Sequence, residues 1–154
     1  MPDITIRSAV PSDAAAIRAL VRAAYAKWVP VLGREPLPMQ ADYDVAIRQH
    51  RFDLIEEAGQ LVALIETEAR PDHYWIENVA VLPEAQGRGF GRQLLIHAEM
   101  LARDAGFTEL RLLTNGRMAS NRALYRNVGY TETAEEPYKE SSVVYMSKRL
   151  SPLS

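Results

Sequence analysis

Apolar and polar residues alternate through ITIRSAV (4–10), with Ile4 and Ile6 on one face, which predicts a half-buried strand. PSD (11–13) is a helix-start signal, and Ile17, Leu20, Val21, Ala24 and Trp28 then recur at helical spacing, with Pro30 expected to end that element. The stretch 29–38, VPVLGREPLP, holds three prolines and a glycine and reads as a loop, before a second, shorter helix over 39–50. Three strand patterns follow at 52–57, 60–69 and 73–82, separated by turn signals at Ala58-Gly59 and Arg70-Pro71-Asp72. From Gly89 to Asp104 an apolar stripe of Leu94, Leu95, Ala98, Leu101 and Ala102 predicts a longer helix capped by Gly106. A strand at 109–114, a short helix at 119–128 ending at Gly129, and strands at 130–135 and 142–148 complete the chain.

The order β-α-α-β-β-β-α-β-α-β-β combines antiparallel hairpins with one βαβ crossover. It predicts a mixed α/β fold (α+β in character) with a mostly antiparallel sheet and helices packed on it. No internal repeat, low-complexity tract or interdomain linker interrupts the pattern, so 1–154 is expected to form a single domain.

Composition removes several chemistries. Without cysteine there is no disulfide, thiolate nucleophile or zinc–thiolate site. His50, His73 and His97 form no HExxH pair, so no metal is expected. A net charge of −2 argues against nucleic acid as a partner. No apolar run suits a membrane span, and MPDITIRSAV lacks the apolar core of a secretory leader, so the expected compartment is the cytoplasm.

The stretch VLPEAQGRGFGRQLL (81–95) carries the clearest chemistry. Gly87, Gly89 and Gly91 stand at alternate positions between a strand and a helix, where backbone N–H groups can converge on an anion. The same pattern also suits a tight strand-to-helix turn that merely uses glycine. The charges favour the anion: Arg88 and Arg92 sit at the helix start and Glu99 and Asp104 toward its end, against the helix dipole. A dinucleotide fingerprint fails in both registers, since its third glycine falls on Arg92 or Leu94, and no G-K-[ST] is present.

The run IENVAVLPEAQGRGFGRQLL resembles the cofactor motif of the GNAT superfamily of acyl-CoA-dependent N-acyltransferases: a strand, a proline, then [QR]-x-x-G-x-[GA] opening a helix. Here the motif reads Val79-Ala80-Val81-Leu82-Pro83, then Gln86-Gly87-Arg88-Gly89-Phe90-Gly91. A second family segment, N-x-x-A-x-x-x-Y, is approximated by Asn121-Arg122-Ala123-Leu124-Tyr125, with the tyrosine two residues after the alanine. The element order also follows that family from end to end, implying its splayed central strands and helices on both sheet faces.

The resemblance implies acetyl-CoA as co-substrate. Backbone amides from Gln86 through Arg92 would hold the pyrophosphate, with the Arg88 and Arg92 side chains nearby. Val79, Ala80 and Val81 would pair with the pantetheine arm, the Val79 amide or a neighbour would receive the thioester oxygen, and Asn121 would contact the pantetheine or the phosphate end. Tyr125 is the expected proton donor to the departing thiolate. Its plainer role is a packed aromatic.

Glu77 interrupts an apolar strand and is the candidate base, with Glu66, Glu68 and His73 as rivals; proximity alone is the alternative. Tyr25, Trp28, Tyr43 and Tyr74 are candidates to line the acceptor pocket, although each also suits simple packing. The expected function is transfer of an acetyl group from acetyl-CoA to a primary amine of a small molecule or peptide. The alternative is a non-catalytic acyl-CoA-binding or sensing module. Monomer and homodimer remain open.

Overall fold

Seven strands form one sheet: β1 (Ile4–Ser8), β2 (Arg51–Glu57), β3 (Gln60–Ala69), β4 (Tyr74–Val81), β5 (Glu109–Asn115), β6 (Thr131–Tyr138) and β7 (Ser141–Arg149). Their order across the sheet is β1-β2-β3-β4-β5-β7-β6. Every pairing is antiparallel except β4 with β5. The helices are α1 (Ala14–Tyr25), α2 (Val29–Leu32), α3 (Leu37–Gln40), α4 (Tyr43–Gln49), α5 (Phe90–Asp104) and α6 (Ala119–Asn127). This computed structural model describes residues 4–151.

Strand alternation sorts the core onto two faces. Phe52, Leu54, Leu64 and Ala80 pack beneath the stripe of Ile17, Leu20, Val21 and Ala24 on α1. Their neighbours Ile55, Ala63, Ile65 and Val79 point the other way, onto Leu94, Leu95, Ala98 and Ala102 of α5. Because both faces are covered, β2 to β4 read as apolar runs more than as simple alternation.

Two features of β4 distort the centre of the sheet. The β4–β5 ladder has three pairs, ending at Ile76 with Leu112, after which the strands separate. On its other edge, Glu66 pairs with Asn78 and Thr67 with Ile76, so Glu77 is the extra residue of a β-bulge. A crevice therefore opens beside a local kink.

Four expected elements differ. The loop predicted at 29–38 holds one single-turn helix, α2, and the start of a second, α3: Pro30 sits in the first turn of α2, where its missing N–H costs nothing, and Gly33 closes that turn at φ 74°. Pro30 therefore does not end α1, which stops at Tyr25 and continues through a 3₁₀ turn at Ala26–Trp28. The helix predicted over 39–50 begins later, where the Asp42 carboxylate accepts the N–H groups of Asp44 and Val45. The strand predicted at 130–135 runs on to Tyr138, through Pro137, which β6 tolerates as an edge strand.

Candidate active site

The splay of β4 from β5 opens two adjoining clefts. The first, about 380 Å³, lies between α1, the second half of β4 and the start of α5. Gly87 and Gly89 adopt φ of 81° and 87°, a left-handed conformation that other residues reach only under strain. The turn they form leaves the N–H groups of Gly89, Phe90, Gly91 and Arg92 without a hydrogen-bond acceptor among the described residues, and all four line the cleft. Two cations, Lys27 and Arg92, line it as well, and no carboxylate among the described residues does.

The edge of β4 supplies more donors. Leu82 donates to the Val62 carbonyl across β3, so in an antiparallel ladder Ala80 and Asn78 also bond to β3 while Val79 and Val81 face the open side. Two contacts agree with that alternation: the Val81 carbonyl accepts from Gln86 Nε2 at 3.1 Å, and the Val79 carbonyl from the Tyr25 hydroxyl at 3.3 Å. The N–H groups of Val79 and Val81 are thus turned toward the cleft.

The second cleft, about 330 Å³, lies on the other side of the splay and has apolar walls from Leu32, Leu37, Ala46, Ile76, Leu112 and Val143. Its ionisable groups include Glu66, Glu77, His50 and Arg34, and Asn78, Thr114 and Asn115 add neutral polar groups. Glu66 is 4% exposed, and burial raises its carboxyl above the ordinary range. His50 Nδ1 lies 2.6 Å from Glu66 Oε2. Glu77 is exposed, and its carboxylate accepts the indole N–H of Trp75 at 2.5 Å.

Tyr25, Asn121 and Tyr125 line both clefts and so mark where they meet. The Tyr125 hydroxyl has no hydrogen-bond partner among the described residues, yet it is not sealed from solvent. Burial pushes its pKa up to about 12, so it stays protonated at neutral pH. Its ring packs edge-on against Tyr130, with centroids 6.2 Å apart. The Tyr25 hydroxyl donates to Asn78 Oδ1 at 2.6 Å, Asn78 Nδ2 donates to the Tyr43 hydroxyl at 3.4 Å, and Tyr43 donates to the Pro38 carbonyl at 2.6 Å.

A model of the acetyltransferase (GNAT) family matches residues 16–130. The chain belongs to that family. No curated protein matches the sequence. Among solved structures, the GNAT fold recurs in the PaiA N-acetyltransferase of Thermoplasma acidophilum, in complex with coenzyme A, at TM-score 0.82 and 18% identity over 96% of this chain and 99% of that one. The GNAT-family protein of Desulfovibrio desulfuricans aligns at TM-score 0.81 and 18% identity, over 97% and 100% of the two chains. YncA of Salmonella typhimurium, with its cofactor acetyl-CoA, aligns at 0.76 and 22%, over 99% and 96%.

Within this GNAT fold the residues singled out from sequence separate into groups. Val79, Ala80, Val81, Gln86, Gly87, Gly89, Phe90, Gly91, Arg92, Asn121 and Tyr125 are brought together around the first cleft. The Arg88 side chain is not: its guanidinium pairs with Glu57 at 2.8 and 2.5 Å and stacks 4.8 Å over the Phe90 ring. Part of the charge that opposed the helix dipole is thereby balanced inside the protein, as Lys148 also does for Glu99. Arg92 has no such partner among the described residues.

Of the four aromatic candidates, Tyr25 lies at the junction and Trp28 lines the first cleft rather than the second. Tyr43 and Tyr74 line neither. Tyr43 is 1% exposed within the α1 core, and Tyr74 bonds Thr67 at 2.9 Å and packs on Phe107. Among the rivals for Glu77, Glu66 lines the second cleft, whereas Glu68 and His73 do not. His50, Asn78 and Lys27 were missed. Asn78 had a signal as the second polar residue inside the apolar run of β4, whereas His50 stands just before β2 and reaches Glu66 through the β2–β3 register, in which Arg51 pairs with Thr67.

Proposed function

We propose that the protein transfers an acetyl group from acetyl-CoA to a primary amine of a small molecule or peptide, by direct attack within a ternary complex. The observation that carries this reading is the junction of the two clefts at Tyr125: one has unpaired amides and cations suited to an anion, the other has carboxylates suited to an ammonium. The complexes of Thermoplasma PaiA with coenzyme A and of Salmonella YncA with acetyl-CoA support the choice of donor.

In this reading the backbone from Gln86 to Arg92 holds the pyrophosphate, which restores the acceptors the helix start lacks. Arg88 contributes its amide rather than its side chain. Val79 and Val81 extend the sheet to the amide-bearing arm of the cofactor, and the Val79 N–H receives the thioester oxygen as charge builds on it. Ala80 lies between them, and Asn121 contacts the arm from α6. The amine nitrogen bonds to the carbonyl carbon, the C–S bond breaks, and the thiolate leaves beside Tyr125.

The pKa of Tyr125, raised to about 12 by burial, bears on how it acts. A thiol near ~8.5 is the stronger acid, so complete transfer of the phenol proton to a thiolate is uphill. Tyr125 therefore donates a hydrogen bond to the sulfur while charge develops, and gives up its proton only as another reaches it from the amine nitrogen. Glu77 adds negative charge beside the incoming ammonium.

Thiol release from acetyl-CoA in the presence of a panel of primary amines tests the proposal. Amine-dependent release above the blank supports it. Tight acetyl-CoA binding with no release on any amine would leave the sensing module instead.

A further inference from the structure

Glu66 is the most buried carboxylate of the acceptor cleft, and only one of its oxygens is engaged. Oε2 meets His50 Nδ1 at 2.6 Å. Oε1 has no hydrogen-bond partner among the described residues and is not among the side-chain atoms sealed from solvent, so it reaches the cleft. A carboxylate so placed is costly unless a cation or proton meets its free side. His50 is the group behind it: its other nitrogen, Nε2, lies 3.5 Å from Glu68 Oε2, and its side chain is 21% exposed. The three groups run from the cleft to the protein surface. Around them the walls are apolar, set by Leu32, Leu37, Ala46 and Leu112.

Resting on the proposed acetyl transfer, we infer that Glu66 and His50 form the proton-accepting pair of this reaction and select a primary ammonium carried on an apolar chain. Glu66 Oε1 receives the ammonium N–H, and the ammonium proton passes to the pair. The pair starts with one proton between Nδ1 and Oε2; the second rests on Glu66 Oε1, and the His50 contact at Oε2 holds the carboxyl in place. The freed amine then forms the C–N bond, and the surplus proton leaves Oε1 for solvent through the cleft. Overall, one ammonium and one thioester give one amide, one thiol and one proton.

Other charged and titratable groups surround Glu66. Glu77 faces it from β4, Tyr25 from α1 and Tyr43 from α4, while Arg34 shares the cleft lining and Arg70 engages Glu68 at 3.4 Å. Glu77 is the weaker candidate base. It is exposed and already accepts the Trp75 indole, so water can hydrate its charge.

The test uses n-hexylamine as the probe, with wild type, Glu66→Gln and His50→Gln. Calorimetry at neutral pH is expected to show n-hexylammonium binding to wild type, weakened about tenfold or more in Glu66→Gln. Side-chain NMR is expected to show the His50 imidazole perturbed on binding. Where the amine is turned over, the low-pH limb of kcat/KM is expected to vanish or shift in both variants, with kcat reduced about 100-fold in Glu66→Gln. Equal binding in wild type and Glu66→Gln, absent binding in wild type, or an unperturbed His50 signal would overturn the inference. Failure of every amine to release thiol, with these binding results intact, would count against acetyl transfer and not against the pair. Retained unfolding cooperativity separates a folding defect from loss of the site.

Discussion

Asn78 accepts the Tyr25 hydroxyl at 2.6 Å, a buried bond that ties the end of α1 to the bulged part of β4. The same hydroxyl lies 3.3 Å from the Val79 carbonyl, so α1 holds the strand edge whose amides face the first cleft. Tyr25→Phe removes the donor and leaves a buried amide oxygen unpaired. The expected cost is about 1–3 kcal/mol in urea unfolding. A loss below about 0.5 kcal/mol would show that the bond does not hold the strand.

Two arginines of the glycine turn and the helix after it have separate roles. Arg88 is paired with Glu57 outside the cleft, and Arg92 lines it without a partner among the described residues. Arg92→Ala is expected to weaken acetyl-CoA binding roughly five- to tenfold, with the loss shrinking at high salt. Arg88→Ala is expected to change the dissociation constant less than about twofold. Calorimetric titration of both variants at two ionic strengths checks the order, and equal losses would contradict it.

Tyr125 carries an open hydroxyl at the junction of the clefts. Tyr125→Phe keeps the ring against Tyr130 and deletes only the hydroxyl, and with it the proposed hydrogen bond to the departing sulfur. Turnover is expected to fall about 100-fold, while acetyl-CoA affinity stays within about twofold. Unchanged kcat would remove Tyr125 from the chemistry.

Burial raises the Glu66 carboxyl above its ordinary range, so its charged form is less favourable in the folded protein than in the unfolded chain. That penalty is absent below the unfolded value, about 4.3, and is complete once pH exceeds the raised folded value. Glu66→Gln is therefore expected to raise the thermal midpoint at pH 8 and to leave it nearly unchanged at pH 4, although the same variant loses activity. Thermal scans at the two pH values check the sign. A lower midpoint at pH 8 would mean that the His50 pairing outweighs the burial.

The glycine turn was legible because its chemistry is local: a tight strand-to-helix turn needs glycine at Gly87 and Gly89, and both take positive φ. The strand before it was legible for the same reason, and the order of elements then followed from hydrophobic periodicity. Tertiary encounters were not legible. Nothing near Arg88 announces that the β2–β3 hairpin delivers Glu57 to it, and the helix dipole by itself assigns that charge to a ligand. His50 and Glu66 are ordinary residues until the pairing of β2 with β3 brings them to 2.6 Å. The prolines of 29–38 suggested a loop because proline breaks helix interiors, whereas Pro30 occupies a first turn that tolerates it.

The central claim is that the Gly87–Arg92 turn binds the pyrophosphate of acetyl-CoA, and calorimetric titration of acetyl-CoA into wild type and Gly89→Val tests it most directly. Gly89 is at φ 87°, and an added Cβ there meets no protein atom within 4 Å, so the substitution re-aims the backbone amides without disturbing the core. Binding is expected to weaken at least about 100-fold while cooperative unfolding is retained. The same dissociation constant in both proteins would contradict the claim.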